Sequence, residues 1–427
     1  MVNPAPAPAP APPLATAAHG PTDRAGPTLI RSVDLCRGVF AFLVVAAHSY
    51  DVCWVIHPEA MSRLPQVIRT LLFATVQSGF YWVMGFFVLS GYCIQLSATR
   101  MIDSGRFSIG LYLKARLTRI MPLYYLALLF ALGVESLVAP IRPAYYPDGL
   151  DGFGFGAQLI LIQRLTRTFG AFAPSWTITN ELFYYVGFGL LAVVAGRSRA
   201  RPAWVGLGCC VGLGGGLIGL HWLGYRHGLI LGFGLLFGLG VNWFLGALVA
   251  IHGPRLVRRG AIRNLARLWP VGFAVAVGMR AGDRIPELAI DLWLGVTFAG
   301  LLLRLIAADQ ADQSQRRPST RPAWLGSLAE FVGLASYPTY LFHGPILLAW
   351  AALIGQTGMI GDWRVTWLLL VGSGIGVGCA LGWWLERPIM TWRAELLARW
   401  KRADEVAARR SETDRPMVGQ AALSQGV

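Results

Sequence analysis

Ten stretches of this chain run to roughly twenty residues each with almost no charge, the length an α-helix needs to cross a bilayer. They lie near 33–51, 69–97, 117–139, 177–196, 203–223, 228–251, 266–281, 288–307, 328–354 and 365–386. Inside hydrocarbon every backbone polar group must be paired within the protein, so apolar spans of this length leave helices as the one arrangement open to them. The pattern predicts an all-α polytopic membrane protein with about ten transmembrane helices. Composition agrees: only 14% of the 427 residues are charged, against about 25% in soluble domains. The stretch at 266–281 is short for a crossing.

Charge arbitrates the topology. A net charge of +15 raises nucleic acid as a partner, but the arginines stand in short loops between apolar spans, as positive-inside orientation demands. No nucleic-acid partner is expected. Two of the 37 basic residues are lysines (Lys114 and Lys401), leaving 35 arginines, a bias that fits genomic base composition. With both termini and every even loop on the cytoplasmic side, nine basic residues face outward and 37 − 9 = 28 face inward. Without a crossing at 266–281, the loop with Arg316, Arg317 and Arg321 and the basic C-terminal tail would face outward. The expected location is therefore the plasma (cell inner) membrane, with both termini cytoplasmic.

The ends differ from the middle. Residues 1–30 open on a Pro-Ala repeat and read as a disordered tail, without the basic start and apolar core of a signal peptide. Residues 31–390 form the transmembrane domain. Residues 391–427 are expected to be a cytoplasmic, mostly disordered tail, and no soluble catalytic domain is expected at either end. The six cysteines show no metal-ligand spacing and suggest no disulfide framework; Cys209 and Cys210 read as lipid-facing packing. The connection from Pro140 to Ser175 carries Tyr145-Tyr146 and a Gly/Phe-rich run. It reads as a short helix on the outer surface, either a functional cap or a plain connector.

Polar residues inside apolar spans are costly and point to function. Arg37 and His48 are separated only by apolar residues and glycine. Eleven residues are about three helical turns, so the two share one face about 16 Å apart. Asp34, one turn before Arg37, is expected to pair with it. A neutral imidazole at His48 can accept a proton from a hydroxyl; a polar clamp between helices is the bland reading. Arg116 and Arg119 share a helix face and can clamp phosphates, although spacing alone favours ordinary anchoring at the cytoplasmic surface. Trp176 opens the fourth span, and Glu181 lies about one turn into it, where the expected topology lets it meet His48; stabilisation of a helix start is the alternative. Ser336, Tyr340 and His343 form a polar stripe in the ninth span, which suggests a lined cavity or a helix–helix hydrogen bond. Ser90-Gly91 reads as close helix packing first and cavity lining second. Glu386-Arg387-Pro388 reads as an ion pair and helix stop at the inner surface.

In order along the chain stand Asp34, Arg37 and His48; FFVLSGY over Phe86–Tyr92; Arg116-x-x-Arg119 with Pro122-Leu123-Tyr124-Tyr125; Trp176 to Glu181-x-x-Tyr184; and Ser336-Tyr337 to His343. Singly these are weak motifs. Together, from about Ser32 to Pro388, they resemble the acyltransferase-3 family of integral membrane acyltransferases. Thr177 departs from the serine usual after the tryptophan. The resemblance implies a membrane O-acyltransferase that moves an acyl group, commonly acetyl, from cytoplasmic acyl-CoA to a hydroxyl of a surface or exported carbohydrate. It implies no permanently bound cofactor, with acyl-CoA, expected as acetyl-CoA, as co-substrate. It places Arg37, Arg116 and Arg119 on the CoA phosphates, His48 as the catalytic histidine and Glu181 as a supporting acid; Asp34, Ser90, Tyr124, Trp176, Tyr340 and His343 are expected to line the cavity. Direct transfer and an acyl-His48 intermediate both remain open. Expected partners are acyl-CoA, the carbohydrate acceptor, membrane lipid and polysaccharide synthesis or export proteins. Two competing functions are a proton-coupled transporter or flippase of a lipid-linked saccharide, relaying protons through His48, Glu181 and His343, and an acyltransferase of a cytoplasmic small molecule.

Overall fold

The computed structural model describes residues 27–76, 79–141, 151–282, 284–314 and 323–413. Most of the Pro-Ala tail, Tyr145-Tyr146, the cluster Arg316, Arg317 and Arg321, and residues 414–427 lie outside them. Among the described residues the chain is helical without strands. In order the helices are α1 (Pro27–Ile56), α2 (Pro58–Ser62), α3 (Gln66–Val76), α4 (Gly79–Asp103), α5 (Ile109–Val138), α6 (Gly152–Leu159), α7 (Trp176–Ala195) and α8 (Arg201–Trp222). They continue with α9 (Gly228–Leu256), α10 (Gly260–Leu265), α11 (Trp269–Ala281), α12 (Glu287–Ser314), α13 (Ala323–Thr357), α14 (Trp363–Leu381) and α15 (Arg387–Thr413).

Among the described residues, nine helical segments are long and apolar enough to cross a membrane. The stretch 69–97 is two helices, α3 and α4, of which α4 is the long apolar one. The stretch 266–281 forms α11, of 13 residues, about 20 Å at 1.5 Å per residue and too short to cross alone. The chain nevertheless returns across the bundle there. Asn242 donates to the Asp291 carbonyl at 3.1 Å, and Gln310 donates to the Pro254 carbonyl at 3.0 Å. Both numbers rise in the same direction, so α9 and α12 run parallel. The chain between them therefore crosses in the opposite sense, through α10, a 3-10 turn (Ala266–Leu268) and α11 in succession.

The bundle encloses a paired centre. Parallel neighbours α1 and α13 pack along their length, with α4, α5 and α14 around them. Close approach is enforced by glycine: a Cβ on Gly91 of α4 would collide with the Trp243 carbonyl, and one on Gly246 of α9 with that of Val88. The outer faces of the bundle stay apolar, with Leu137, Val194 and Trp222 among the most exposed residues, as lipid contact requires.

Two segments differ from the sequence reading. Helix α14 does not stop at Glu386-Arg387-Pro388. It passes through one π-turn, Gly382–Glu386, into α15. Pro388 follows directly on the π-turn, where the hydrogen-bond register is already interrupted, so the helix continues past a residue that lacks an N–H. Glu386 is buried among Arg119, Arg37 and Arg393, and Arg387 stacks on Trp383 instead. The backbone is thus helical to Thr413, where a mostly disordered tail was expected from 391.

The connection from 151 to 175 is tucked into the bundle instead of lying on its surface. Gln158, Gln163, Phe169 and Phe172 are all buried. Gln158 donates to Ser175 Oγ at 3.0 Å, and Gln163 donates to the Ser175 carbonyl at 2.9 Å and to the Tyr124 hydroxyl at 3.2 Å. Tyr124 in turn donates to the Gln158 carbonyl at 2.9 Å. The amide nitrogens of both glutamines meet acceptors, while their buried oxygens have no protein partner; the bonds that are made pin the segment to α5. Glu135 of α5 accepts from the Ala171 amide at 2.7 Å. Gly170, with φ of +40°, lies so close to that carboxylate that any Cβ would strike it. Leu161 takes φ of +58°, a strained value for a branched side chain.

Candidate functional site

Two cavities lie one above the other along α1 and α13. The inner one, about 310 Å³, carries four guanidinium groups in its wall: Arg37 from α1, Arg116 and Arg119 from α5, and Arg393 from α15. Glu181, Ser90, Tyr185, Thr177, Ser336, Tyr337 and Tyr340 add to its polar lining. The arginines are positioned separately. Arg37 pairs with Asp34 at 3.7 Å, as the sequence anticipated. Arg116 donates to Ser97 at 2.6 Å and lies over the Tyr112 ring. Arg393 donates twice to the Ala115 carbonyl, at 3.1 and 2.7 Å. Arg119 contacts the Met390 sulfur at 3.6 Å. Among the described residues neither Arg116 nor Arg119 forms an ion pair, so two guanidinium groups keep donors for an anion.

The outer cavity is larger, about 550 Å³, and is lined by His48, His343, Phe80, Trp176, Tyr340 and the segment from Gln163 to Pro174. The His48 ring stacks on that of His343, with centroids 5.3 Å apart. The His48 side chain is 40% exposed, which in this position means open to the chamber. His343 is fully buried. Its Nδ1 lies 2.8 Å from the Tyr340 carbonyl and 3.2 Å from that of Thr339. Carbonyls only accept, so Nδ1 carries the proton and the buried Nε2, which meets no partner, is the bare nitrogen. Asp51, one turn after His48, approaches its Nδ1 to 3.7 Å. That is within ion-pair range, though longer than a hydrogen bond. A carboxylate on one imidazole nitrogen directs the other toward the reacting proton. A Cβ on Gly79 would lie 3.8 Å from His48 Nε2.

One tyrosine marks the seam. Tyr340 lines both cavities. Its hydroxyl donates to the Pro174 carbonyl at 2.8 Å and is bonded to Thr177 Oγ1 at 2.9 Å. Thr177, the departure from the usual serine, keeps the hydroxyl that this bond requires.

The geometry separates two residues that the expected topology allowed to meet. Glu181 lines the inner chamber and His48 the outer one. Glu181 lies beside Ser90 and Tyr185 in this wall and faces Arg37 and Arg119. The Ser90 and Tyr185 hydroxyls lie 3.3 Å apart, and Trp243 Nε1 donates to Ser90 at 3.2 Å. Ser336 spends its hydroxyl on the Gly333 carbonyl of its own helix. Tyr124 lines neither chamber and belongs to the network beneath the 151–175 segment. Trp176 lies in the outer wall.

Arg164 and Arg393 in these walls, and Asp51 beside His48, were not singled out in the sequence. Asp51 carried a signal, since it follows His48 by three residues on one helix face. Arg164 lay in a connection whose path composition does not reveal. Arg393 lay beyond an expected helix stop.

Residues 30–387 match the family model described as an acyltransferase domain, so the chain belongs to the acyltransferase-3 family. With its many apolar helices it is an integral membrane acyltransferase. Comparison with curated proteins and with solved structures gives no match.

Proposed function

We propose that the protein transfers an acyl group, most simply acetyl, from acyl-CoA at the inner chamber to a carbohydrate hydroxyl at the outer one. The observation that carries this reading is the division of the cavity at Tyr340: four arginines on one side, the accessible His48 on the other. A nucleotide phosphate donor suits the first and a neutral hydroxyl acceptor suits general-base help from the second. Arginines at the bundle's inner end fit a cytoplasmic donor in the cell inner membrane. Arg116 and Arg119 hold the donor phosphates, supported by Arg37 and Arg393, and Glu181 with Ser90 and Tyr185 shapes the channel above them. The thioester reaches His48 past Tyr340, whose two hydrogen bonds yield to admit it.

In the direct form of the reaction, His48 Nε2 takes the acceptor hydroxyl proton as its oxygen attacks the thioester carbonyl. The tetrahedral adduct then expels the CoA sulfur, which recovers the proton from the imidazolium. An ester bond forms and a thioester bond breaks, with no net change in protons. Asp51 holds the imidazole through its Nδ1.

The test is release of free CoA and labelled ester by purified protein in liposomes supplied with labelled acetyl-CoA and glycan acceptors. Wild type is expected to turn over, and His48→Ala to lose about 10²- to 10⁴-fold. No CoA release with any glycan, or turnover unchanged in His48→Ala, overturns the reading.

A further inference from the structure

Within the outer chamber one cation is unaccounted for. Arg164 lines the wall together with His48. Its guanidinium carbon lies 4.7 Å over the Trp176 ring, which itself stacks on Phe80 at 5.4 Å. Among the described residues no carboxylate forms an ion pair with it, and its Nε is buried without a hydrogen-bond partner. Burial draws this guanidinium below the usual arginine range, with Tyr184 and Asp291 opposing, but an arginine keeps its charge at any ordinary pH.

Arg167, three residues on, makes the contrast. It lines the same chamber, yet Asp151 engages it at 2.7 Å. An aromatic face offsets only part of the cost of withdrawing a cation from water. A fork held by a ring and not by an acid keeps its N–H groups for a ligand, and its geometry suits two oxygens of one anion. Its place is fixed, because the neighbouring Gln163 is locked to Ser175 and Tyr124. Arg164 does not belong to the inner arginine set, since Tyr340 and Thr177 lie at the seam between.

We propose that the outer chamber recognises an acceptor carrying an oxyanion, a carboxylate or a phosphate near the hydroxyl that is acylated, and that Arg164 binds it. The inference rests on the outer chamber being the acceptor side. A uronic acid and a phosphorylated sugar both offer this chemistry.

Binding of three probes to the purified full chain in detergent, by calorimetry, tests it apart from turnover: methyl glucuronide, methyl glucoside and glucose 1-phosphate. Wild type is expected to bind one of the anionic probes at least about tenfold tighter than the glucoside, and the one preferred names the oxyanion. Arg164→Gln is expected to erase the preference and Arg164→Lys to keep part of it, with unchanged melting temperatures showing that both fold. Equal affinities, no binding of any probe, or a preference that survives Arg164→Gln overturns the proposal. The two readings fail separately. Acyl transfer without charge preference leaves the acyltransferase reading standing and removes this one. Arg164-dependent anion binding without CoA release leaves the anion site standing and removes the acyltransferase reading, and with it the ligand's role as acceptor.

Discussion

The inner chamber takes its cations from helices, whereas the outer chamber takes Arg164 and Arg167 from a folded connection between helices. A helix places a side chain by periodicity alone, and Arg116 and Arg119 share a wall because they are three residues apart. A connection places a side chain only through its own buried bonds, here those of Gln158, Gln163 and Glu135. The inner chamber should therefore tolerate loss of single contacts, while the outer one depends on the integrity of its loop.

Four measurements sharpen or break that contrast. Reversing both Arg116 and Arg119 to Glu should raise the apparent Michaelis constant for acyl-CoA by about 100-fold or more, since charge-assisted bonds are worth about 1.5–3 kcal/mol each. Acceptor affinity should not move, and an unmoved donor constant removes the phosphate clamp. Asp51→Asn should lower kcat about tenfold, roughly 1.4 kcal/mol of barrier, with both Michaelis constants unchanged. A fall in melting temperature with kcat intact would make Asp51 structural instead.

Gln163→Leu should cost about 1–3 kcal/mol of stability by leaving the Ser175 carbonyl unpaired. It should also weaken acceptor use while sparing the donor constant; equal damage to both sides would mean that the chambers are one mechanical unit. The smallest effect belongs to Asp151. Desolvation, the largest single cause, raises its carboxyl, but the Gly154 and Phe153 amides and Arg167 together hold it below the usual carboxylate value. A depressed value stabilises above the unfolded value of 3.8 and is lost as pH falls through the folded one. The drop in melting temperature between pH 5 and 3 (about that range) should be slightly smaller in Asp151→Asn than in wild type.

Much of this architecture was legible because bilayers reward length and apolarity. The Asp34–Arg37 pair and the stripe of Tyr340 and His343 followed from helical spacing. Legibility failed where local composition misleads. Hydropathy alone misses the short crossing through α11, which falls below the length criterion; the arginines of the flanking loops gave it away, and the parallel run of α9 and α12 agrees. A proline shortly after a glutamate suggests a stop, yet the helix passes Pro388 by way of the π-turn before it. Gln158 and Gln163 look like surface residues until their partners on α5 and at Ser175 are known. Glu181 and His48 seemed able to meet because both belong to the outer half of the expected topology; which chamber each faces is set by helix rotation, which hydropathy does not encode.

The seam at Tyr340 also has a kinetic meaning. On the proposed reading, spent CoA leaves by the mouth through which the donor arrived, and the acylated carbohydrate leaves by the other. Each product then competes with its own parent substrate at its own door, so inhibition patterns report sidedness: excess CoA on one face of a sealed vesicle should slow turnover, and the same excess on the opposite face should not.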